Sequence, residues 1–452
     1  MSGEPFAHRR LHFVGIGGAG MSGLALVSNA LGAEVSGSDD VDTSYARRLR
    51  AHGIEPAIGY EAANVPPGAE VVVSSAIASE NPELVAARAV GTGVLHRGEL
   101  LGEVSRLKRS IAVAGTHGKT TTCGMLAHTL MACGRDPAYL IGGELRSTDT
   151  NAAWGGGDWV VVEADESDRS FLELGREVAV VLNVELDHHA TYRSRAELDA
   201  SFAEFTAPAG LRILGGGVDL PGEGGAVTYG IEDGDLRAEQ VELRPLGSRF
   251  QVDGVPVELN VPGAHNVLNA LAALAACRAA GVALAQAAPA LAGFTGTGRR
   301  FEARGHTAAG AHVFDDYAHH PTEVRATLEA ARNFGARRVV ACFQPHLFSR
   351  TRELADDFGR ALALADVVVV LDVYPSRERA GDFPGVSGLL VAAAAADAAQ
   401  GRPVWWLPSI EAAREMLRAN AREGDLLLTM GAGDIDRLAA GLVAAAPAGE
   451  SP

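Results

Sequence analysis

Ser110-Ile-Ala-Val-Ala-Gly115-Thr116-His117-Gly118-Lys119-Thr120-Thr121-Thr122 is the stretch on which the fold turns. An apolar run passes into a turn with two glycines, and Lys-Thr-Thr then opens a helix expected to run on through 125–133. Backbone N–H groups of such a turn and helix start cradle polyphosphate, a lysine reaches the outer phosphates, and a threonine hydroxyl serves Mg2+. Lys119 is one of only two lysines in the chain, the other being Lys108, and all remaining strong bases are arginine. A lysine kept here points to a task that needs a compact ammonium. The strict phosphate-loop pattern asks for glycine at 113, where this chain has Val113, so the match is a shorter variant over 115–120. A bland turn with a surface lysine is the competing reading, and the strand-turn-helix order argues against it.

At 452 residues the chain is long enough for two or three domains. Strand and helix patterns alternate in three blocks, expected at 1–107, 108–297 and 298–452. The fold class expected is α/β in three domains: Rossmann-like, then P-loop ATPase-like, then Rossmann-like again. The stretch 212–261 is Gly-rich with short alternating runs and reads as antiparallel strands attached to the middle block. Residues 293–298 read as the linker into the third block, and the tail from Ala444 as disordered. The formal charge of −17, from 39 bases and 56 acids, argues against nucleic acid or an anionic membrane as main partner. Four cysteines without metal or pair spacing read as buried free thiols in a reducing compartment. No leader-like apolar segment and no spanning run occur, so a cytoplasmic enzyme is expected.

Five further groups carry chemistry. Gly15, Gly17, Gly18, Ala19 and Gly20 follow an apolar strand, with Ser38 and Asp39 ending the next. This is the dinucleotide fingerprint, equally suited to NAD or to a nucleotide-sugar diphosphate. Residues 159–168 end a strand in Glu163, Asp165, Glu166 and Asp168, of which Glu163 is favoured as a metal ligand, while residues 182–189 run into Asn183, Glu185, Asp187, His188 and His189. His265 is placed just before a helix whose Asn266 and Asn269 share one side and can either read an adenine edge or cap the helix. In the third block, Arg299-Arg300, Phe314 to Pro321 and Gln344 to Thr351 gather polar groups at strand ends, as a ligand crevice would.

The motifs GIGGAGMSGLA, AGTHGKTTT, VVEADESD, NVELDHH, HNVLNALAA, FDDYAHHPTEV and FQPHLFSRT stand in the order found in Mur ligases, and the chain resembles that family from about Leu11 to Leu438. FDDYAHHPTE together with FQPH..SRT is similar to the branch that adds the first amino acid. The resemblance implies ATP-dependent ligation of L-alanine to UDP-N-acetylmuramate through an acyl phosphate, a cytoplasmic step of peptidoglycan and cell-wall synthesis, with Mg2+ or Mn2+. It implies that Lys119, Glu163, His188 and Arg350 are catalytic. Thr120 and Glu163 would hold one metal and His188 a second. Gly115, Thr116, His117, Gly118, Lys119, Thr120, Thr121, His265, Asn266, Asn269, Arg300 and Asp316 would bind ATP. Gly15, Gly17, Gly18, Ala19, Gly20, Ser38, Asp39, Ser74 and Ser75 would bind the UDP-sugar, and Tyr317, His319, His346 and Arg350 the alanine.

Three departures stand out. No lysine follows Lys119, so the carbamylated lysine of several relatives is absent, as it is in the alanine-adding branch. Leu347 and Phe348 replace the Arg-Tyr usual after Gln-Pro-His, and Ala190 replaces an acid. The rival readings are a ligase that reattaches tripeptide to UDP-N-acetylmuramate, a nicotinamide-dependent oxidoreductase, and a non-catalytic nucleotide-binding regulator. A monomer or homodimer is expected. Ligands lying between blocks require the third block to close, and an open arrangement is expected before they bind.

Overall fold

The computed structural model describes residues 4–187, 191–221 and 225–444. His188, His189, Ala190 and the tail beyond Ala444 lie outside the described residues.

The first sheet is wholly parallel, in the order Ala57–Ile58, Glu34–Asp39, Arg10–Val14, Glu70–Val73, Val94–His96. Strand order reverses on either side of Arg10–Val14. The glycine turn at 15–18 and the Ser74–Ser75 turn therefore leave neighbouring strands at the switch point, where α/β sheets take ligands.

The middle sheet has eight strands, ordered Leu236–Arg237, Ala226–Gly230, Leu211–Gly215, Val178–Val181, Arg109–Ala114, Trp159–Glu163, Ala138–Leu145, Thr150–Ala153. Ile111, Val113 and Ala114 are fully buried, as a central parallel strand covered on both faces requires. Helix Lys119–Ala132 packs against the alanine-rich helix Ala264–Ala279, with Phe294 and Leu291 closing that core. Each such aliphatic side chain contributes about 1.5–3 kcal/mol on burial.

The stretch 212–261 differs from its sequence reading. Its first three strands extend the central sheet in parallel, and only Glu239–Arg244, Gly247–Val252 and Val255–Leu259 form an antiparallel sheet. Alternation reports one buried face, not strand direction. Here Ile213 and Tyr229 face the core under helix Ala264–Ala279, which selects the parallel pairing. That helix begins two residues earlier than read, so His265 lies inside its first turn, because Gly263 at φ +98° breaks the chain before it. Of the cysteines, Cys123, Cys277 and Cys342 are buried, but Cys133 is only half-buried.

The third sheet runs Glu302–His306, His312–Asp316, Asp425–Met430, Arg338–Phe343, Val367–Val370, Val404–Trp406, parallel except for its first strand. The first and middle blocks share a hydrophobic core in which Leu24, Val27, Leu100 and Val104 join Ala112, Val162 and Phe171, while the third block has cores of its own. In this structure the third block is closed on the middle block. Thr322 Oγ1 donates to Glu185 Oε2 at 2.6 Å, and Arg350 pairs with Asp187 at 3.0 Å, both across the boundary between middle and third blocks. Buried charge-assisted contacts of this kind favour closure. Among the described residues no helix is long and apolar enough to cross a membrane.

Candidate active site

Gly118 caps helix Lys119–Ala132 at φ +85°, and a Cβ there would stand 2.6 Å from Asn269 Oδ1. Only glycine suits the position. Lys119 Nζ donates to Gly115 O (2.6 Å), Thr116 O (3.2 Å) and Glu166 Oε2 (2.8 Å). Burial opposes its charge, but the carboxylates of Glu166, Asp165 and Glu163 outweigh that and hold the ammonium well above its ordinary range. Thr120 Oγ1 donates to Glu163 Oε1 at 3.0 Å, and Gly142 N–H to Glu163 Oε2 at 2.7 Å. Burial raises the Glu163 carboxyl despite Lys119. A hydroxyl and a carboxylate from different elements thus converge, the all-oxygen pair that Mg2+ takes in phosphate-loop proteins.

Beside this turn opens a cavity of about 560 Å³, lined by His117, Gly118, Thr121, His265, Asn266, Asn269, Arg300 and Asp316 among others. Eight of the twelve residues expected at ATP therefore meet there. Gly115, Thr116 and Lys119 form the adjoining end through the lysine contacts given above, and Thr120 follows on Glu163. Asn266 Nδ2 donates to Pro262 O (2.7 Å) and Asn269 Nδ2 to Asn266 Oδ1 (3.0 Å), so both amides also brace the helix start. Burial, with repulsion from His117 and Arg300, holds His265 down to about 4 and neutral. Arg300 enters from a strained turn: Arg299 and Phe301 have φ +55° and +47°. Asp316 pins that turn by accepting from Phe301 N–H (2.7 Å) and Ala318 N–H (2.8 Å), while burial raises its carboxyl to about 6.

The four residues expected at the amino acid also meet. Tyr317 and His319 rings are 5.4 Å apart, His319 and His346 rings 6.2 Å, and Arg350 Nη1 lies 3.3 Å from His346 Nδ1. Burial lowers His319 to about 4 and His346 to about 3, so both imidazoles are neutral and only weakly basic. Arg350 spends Nε and Nη2 on Asp187, leaving Nη1 toward His346.

At the first sheet, Gly17 N–H donates to Asp39 Oδ2 (2.8 Å), and Gly15 and Ile16 N–H donate to Ser38 O (2.8 and 2.9 Å). Asp39 thus shapes the glycine turn. Ser38 Oγ is turned into the core on Glu83 at 2.5 Å, and Ser75 Oγ reaches Asp168 at 3.3 Å. Helix Ala19–Ala30 starts on Gly18 without a side-chain cap, which leaves its N–H groups to an anion.

Three family descriptions match successive parts of the chain: Mur ligase family, catalytic domain, over 10–109; Mur ligase middle domain over 113–277; and Mur ligase, glutamate ligase domain, over 299–433. The chain belongs to the Mur ligase family. Among relatives of this Mur ligase, the UDP-N-acetylmuramate–L-alanine ligase of Streptomyces coelicolor is 48% identical, covering 96% of this chain and 97% of its own. That of Rubrobacter xylanophilus is 44% identical, covering 96% and 99%. The crystal structure of UDP-N-acetylmuramate-alanine ligase from Thermotoga maritima superposes with a TM-score of 0.83 at 31% identity, covering 96% and 98%. A murein peptide ligase from Psychrobacter arcticus gives 0.73 at 25%, covering 97% and 100%.

Several residues of this Mur ligase escaped sequence reasoning. Glu166, ranked below Glu163, is the partner of Lys119. Glu323 accepts from His319 N–H (2.9 Å) and pairs with Arg300 (3.3 Å), so one carboxylate links the cavity-lining arginine to the histidine cluster. Its place three residues after His320 reads in sequence as a capping box, which it also is. Arg97 stands beside the glycine turn, 2.9 Å from where a Cβ of Gly20 would be, and nothing in its local sequence marks it. Leu347 and Phe348 are both buried, and Phe348 stacks on Phe383 at 5.9 Å, so an apolar wall stands where the family branch has a cation. Leu347 sits at φ +71°, strained, at the start of helix Phe348–Leu362. Arg377, from another loop, adds positive charge near His346.

Proposed function

We propose that this Mur ligase joins L-alanine to UDP-N-acetylmuramate with cleavage of ATP to ADP and phosphate, a cytoplasmic step in making peptidoglycan precursor. One observation carries the reading: closure sets the phosphate-loop lysine and the quartet Tyr317, His319, His346 and Arg350 on either side of one interface, joined through Arg350 and Asp187. Relatives of that activity at 44–48% identity over 96% of the chain support it.

ATP supplies the activation: its γ-phosphoryl passes to the sugar's lactyl carboxylate, and the acyl phosphate so formed yields an amide and phosphate when the alanine amine attacks. The difficulty is the approach of one anion to another, which positioned positive charge relieves. Lys119 is fixed for that by three acceptors, and Arg300 brings a second cation from the third block. Thr120 and Glu163 would hold Mg2+, which neutralises phosphate charge when bound. His188, by motif alone, would hold a second ion. Alanine arrives as an ammonium ion and must lose a proton to be a nucleophile; burial keeps His319 and His346 neutral, so they can accept a hydrogen bond from the ammonium, but it also makes them weak bases and neither is assigned the proton. Arg350 Nη1 would orient the alanine carboxylate, with Asp187 fixing the guanidinium plane. The glycine turn at 15–20, with Arg97, would take the UDP diphosphate.

We place the three functional divisions at 1–107, 108–297 and 298–452, a reading supported by the separate sheets and by family matches that break near the same points. Tripeptide addition is the second reading, favoured by the likeness to a murein peptide ligase. The deciding experiment measures ADP release with UDP-N-acetylmuramate against single amino acids and against L-Ala-γ-D-Glu-meso-diaminopimelate. Release with L-alanine is expected, and release with the tripeptide alone would replace the first reading by the second.

A further inference from the structure

We propose that His117, Glu185 and His320 form a site for a first-row divalent transition ion, such as Zn2+ or Co2+, which ties the phosphate loop to the third block. One ligand atom from each residue lies within 4.8 Å of the others. His117 Nε2 stands 2.9 Å from Glu185 Oε1, His320 Nδ1 stands 3.7 Å from Glu185 Oε2, and the two imidazole rings are 6.1 Å apart. Ligands of a tetrahedral zinc at about 2.0–2.2 Å lie in this range of mutual separation, so modest side-chain adjustment suffices.

The frame behind these ligands is rigid. His117 N–H donates to Asn183 Oδ1 and Asn183 Nδ2 returns to His117 O, both at 3.0 Å. Glu185 N–H donates to Thr116 Oγ1 at 2.8 Å, while that hydroxyl donates to Glu185 O at 3.0 Å. His320 Nδ1 accepts from Thr322 N–H at 3.3 Å as the cap of helix Pro321–Asn333, so an ion on that nitrogen replaces the cap bond, and Thr322 Oγ1 donates to Glu185 Oε2. A hydrogen bond to a ligating carboxylate is the support that metal sites use.

The donor set distinguishes this site from the Thr120–Glu163 pair. Two imidazoles and one carboxylate, with an open fourth position, suit zinc or cobalt, whereas Mg2+ takes oxygen donors. His117 and Glu185 belong to the middle block and His320 to the third. An ion bound by all three therefore holds the closed arrangement and hinders its reopening. The inference rests on that closure and not on which amino acid is ligated.

The test uses the full chain without an affinity tag, stripped of metal, with Mg2+ in excess. Co2+ is added alone and followed by its visible absorption and by calorimetry. One Co2+ per chain is expected, with affinity lowered at least tenfold, roughly the scale of losing support at a metal site, in His320→Gln and in Glu185→Gln, and unchanged in His188→Ala. Thermal melts without metal establish that each variant is folded, and if His320→Gln is not, Glu185→Gln decides. Absence of binding under excess Mg2+, binding indifferent to both substitutions, or loss that follows His188 alone would each overturn the proposal. Because the readout needs no turnover, it stands or falls separately from the alanine assignment.

Discussion

Arg350 grips Asp187 through two hydrogen bonds of 3.0 Å, Nε to Oδ1 and Nη2 to Oδ2, with both side chains only 4% exposed. The pair joins the third block to the strand end of the middle block. Taking away the guanidinium leaves a buried carboxylate without its main counter-charge, which costs about 3–5 kcal/mol. Arg350→Ala is therefore expected to lower the unfolding midpoint and to enlarge the solution-scattering radius, with a smaller combined loss in Arg350→Ala/Asp187→Ala than the single losses summed. Strict additivity across that double-mutant cycle would show that the pair does not hold closure.

Lys119 differs from arginine in presenting a compact ammonium to three acceptors around one turn. Lys119→Ala is expected to reduce ADP release by roughly 10³-fold, of the order seen when a transition-state cation is removed. Lys119→Arg should not restore it, because the planar guanidinium does not fit the space between Gly115 O and Glu166. The check is steady-state ADP formation beside a far-ultraviolet spectrum, and a fully active Lys119→Arg would refute the role assigned to shape.

Glu163 and Thr120 converge at 3.0 Å, and burial already raises the Glu163 carboxyl. Glu163→Gln keeps the shape and the Gly142 contact but removes the charge a divalent ion needs. The expected result is a Mg2+ requirement shifted upward by tenfold or more, with Thr120→Ala shifted less. Titrating activity against free Mg2+ measures both, and an unmoved midpoint in Glu163→Gln would take this carboxylate out of the metal site.

Acid should weaken the closed fold before ordinary carboxylates titrate. His265 and His319 are held to about 4 and His346 to about 3, below the ordinary 6.5, chiefly by burial. Between 6.5 and those values the unfolded chain binds more protons than the folded one, so stability falls as pH falls through that window. Asp316, raised by burial from 3.8 to about 6, acts in the opposite sense over part of the range, as do Glu163 and Asp39, also raised by burial, while the lowered His128, His312 and His320 add to the loss. Glu185, lowered to about 2 despite burial by His117 and Thr322, adds a further loss only below its ordinary 4.5. Denaturant midpoints taken across the histidine window should decline toward acid, and less steeply in His346→Gln. A flat profile there contradicts the burial argument.

Much of the site was legible because its parts are local. The phosphate turn, the glycine turn and the strand ending in Glu163 each lie within a dozen residues, and strand-turn-helix order is a short-range property. The paired histidines after His312–Asp316 and the run from Gln344 were legible for the same reason. What escaped was every partnership of long sequence separation: Glu166 for Lys119, Asp187 for Arg350, Glu323 for Arg300, and Arg97 beside the glycine turn. Acids in an acidic chain do not announce which cation they will meet. The strands over 211–237 were misread because alternation marks a buried face and is silent about the direction of the neighbour.

By itself the sequence determined three α/β blocks, a strand-turn-helix at Lys119 with the chemistry of a phosphate loop and the identity of the residues that crowd the strand ends, because apolar periodicity and turn chemistry act over a few residues. The tertiary structure alone decided that the third block is closed on the second and that the first two share a core. It also decided that Arg350 is held by a carboxylate 163 positions away. Those outcomes depend on burial and on the pairing of charges brought together only by packing, and no short window of sequence contains both members of such a pair.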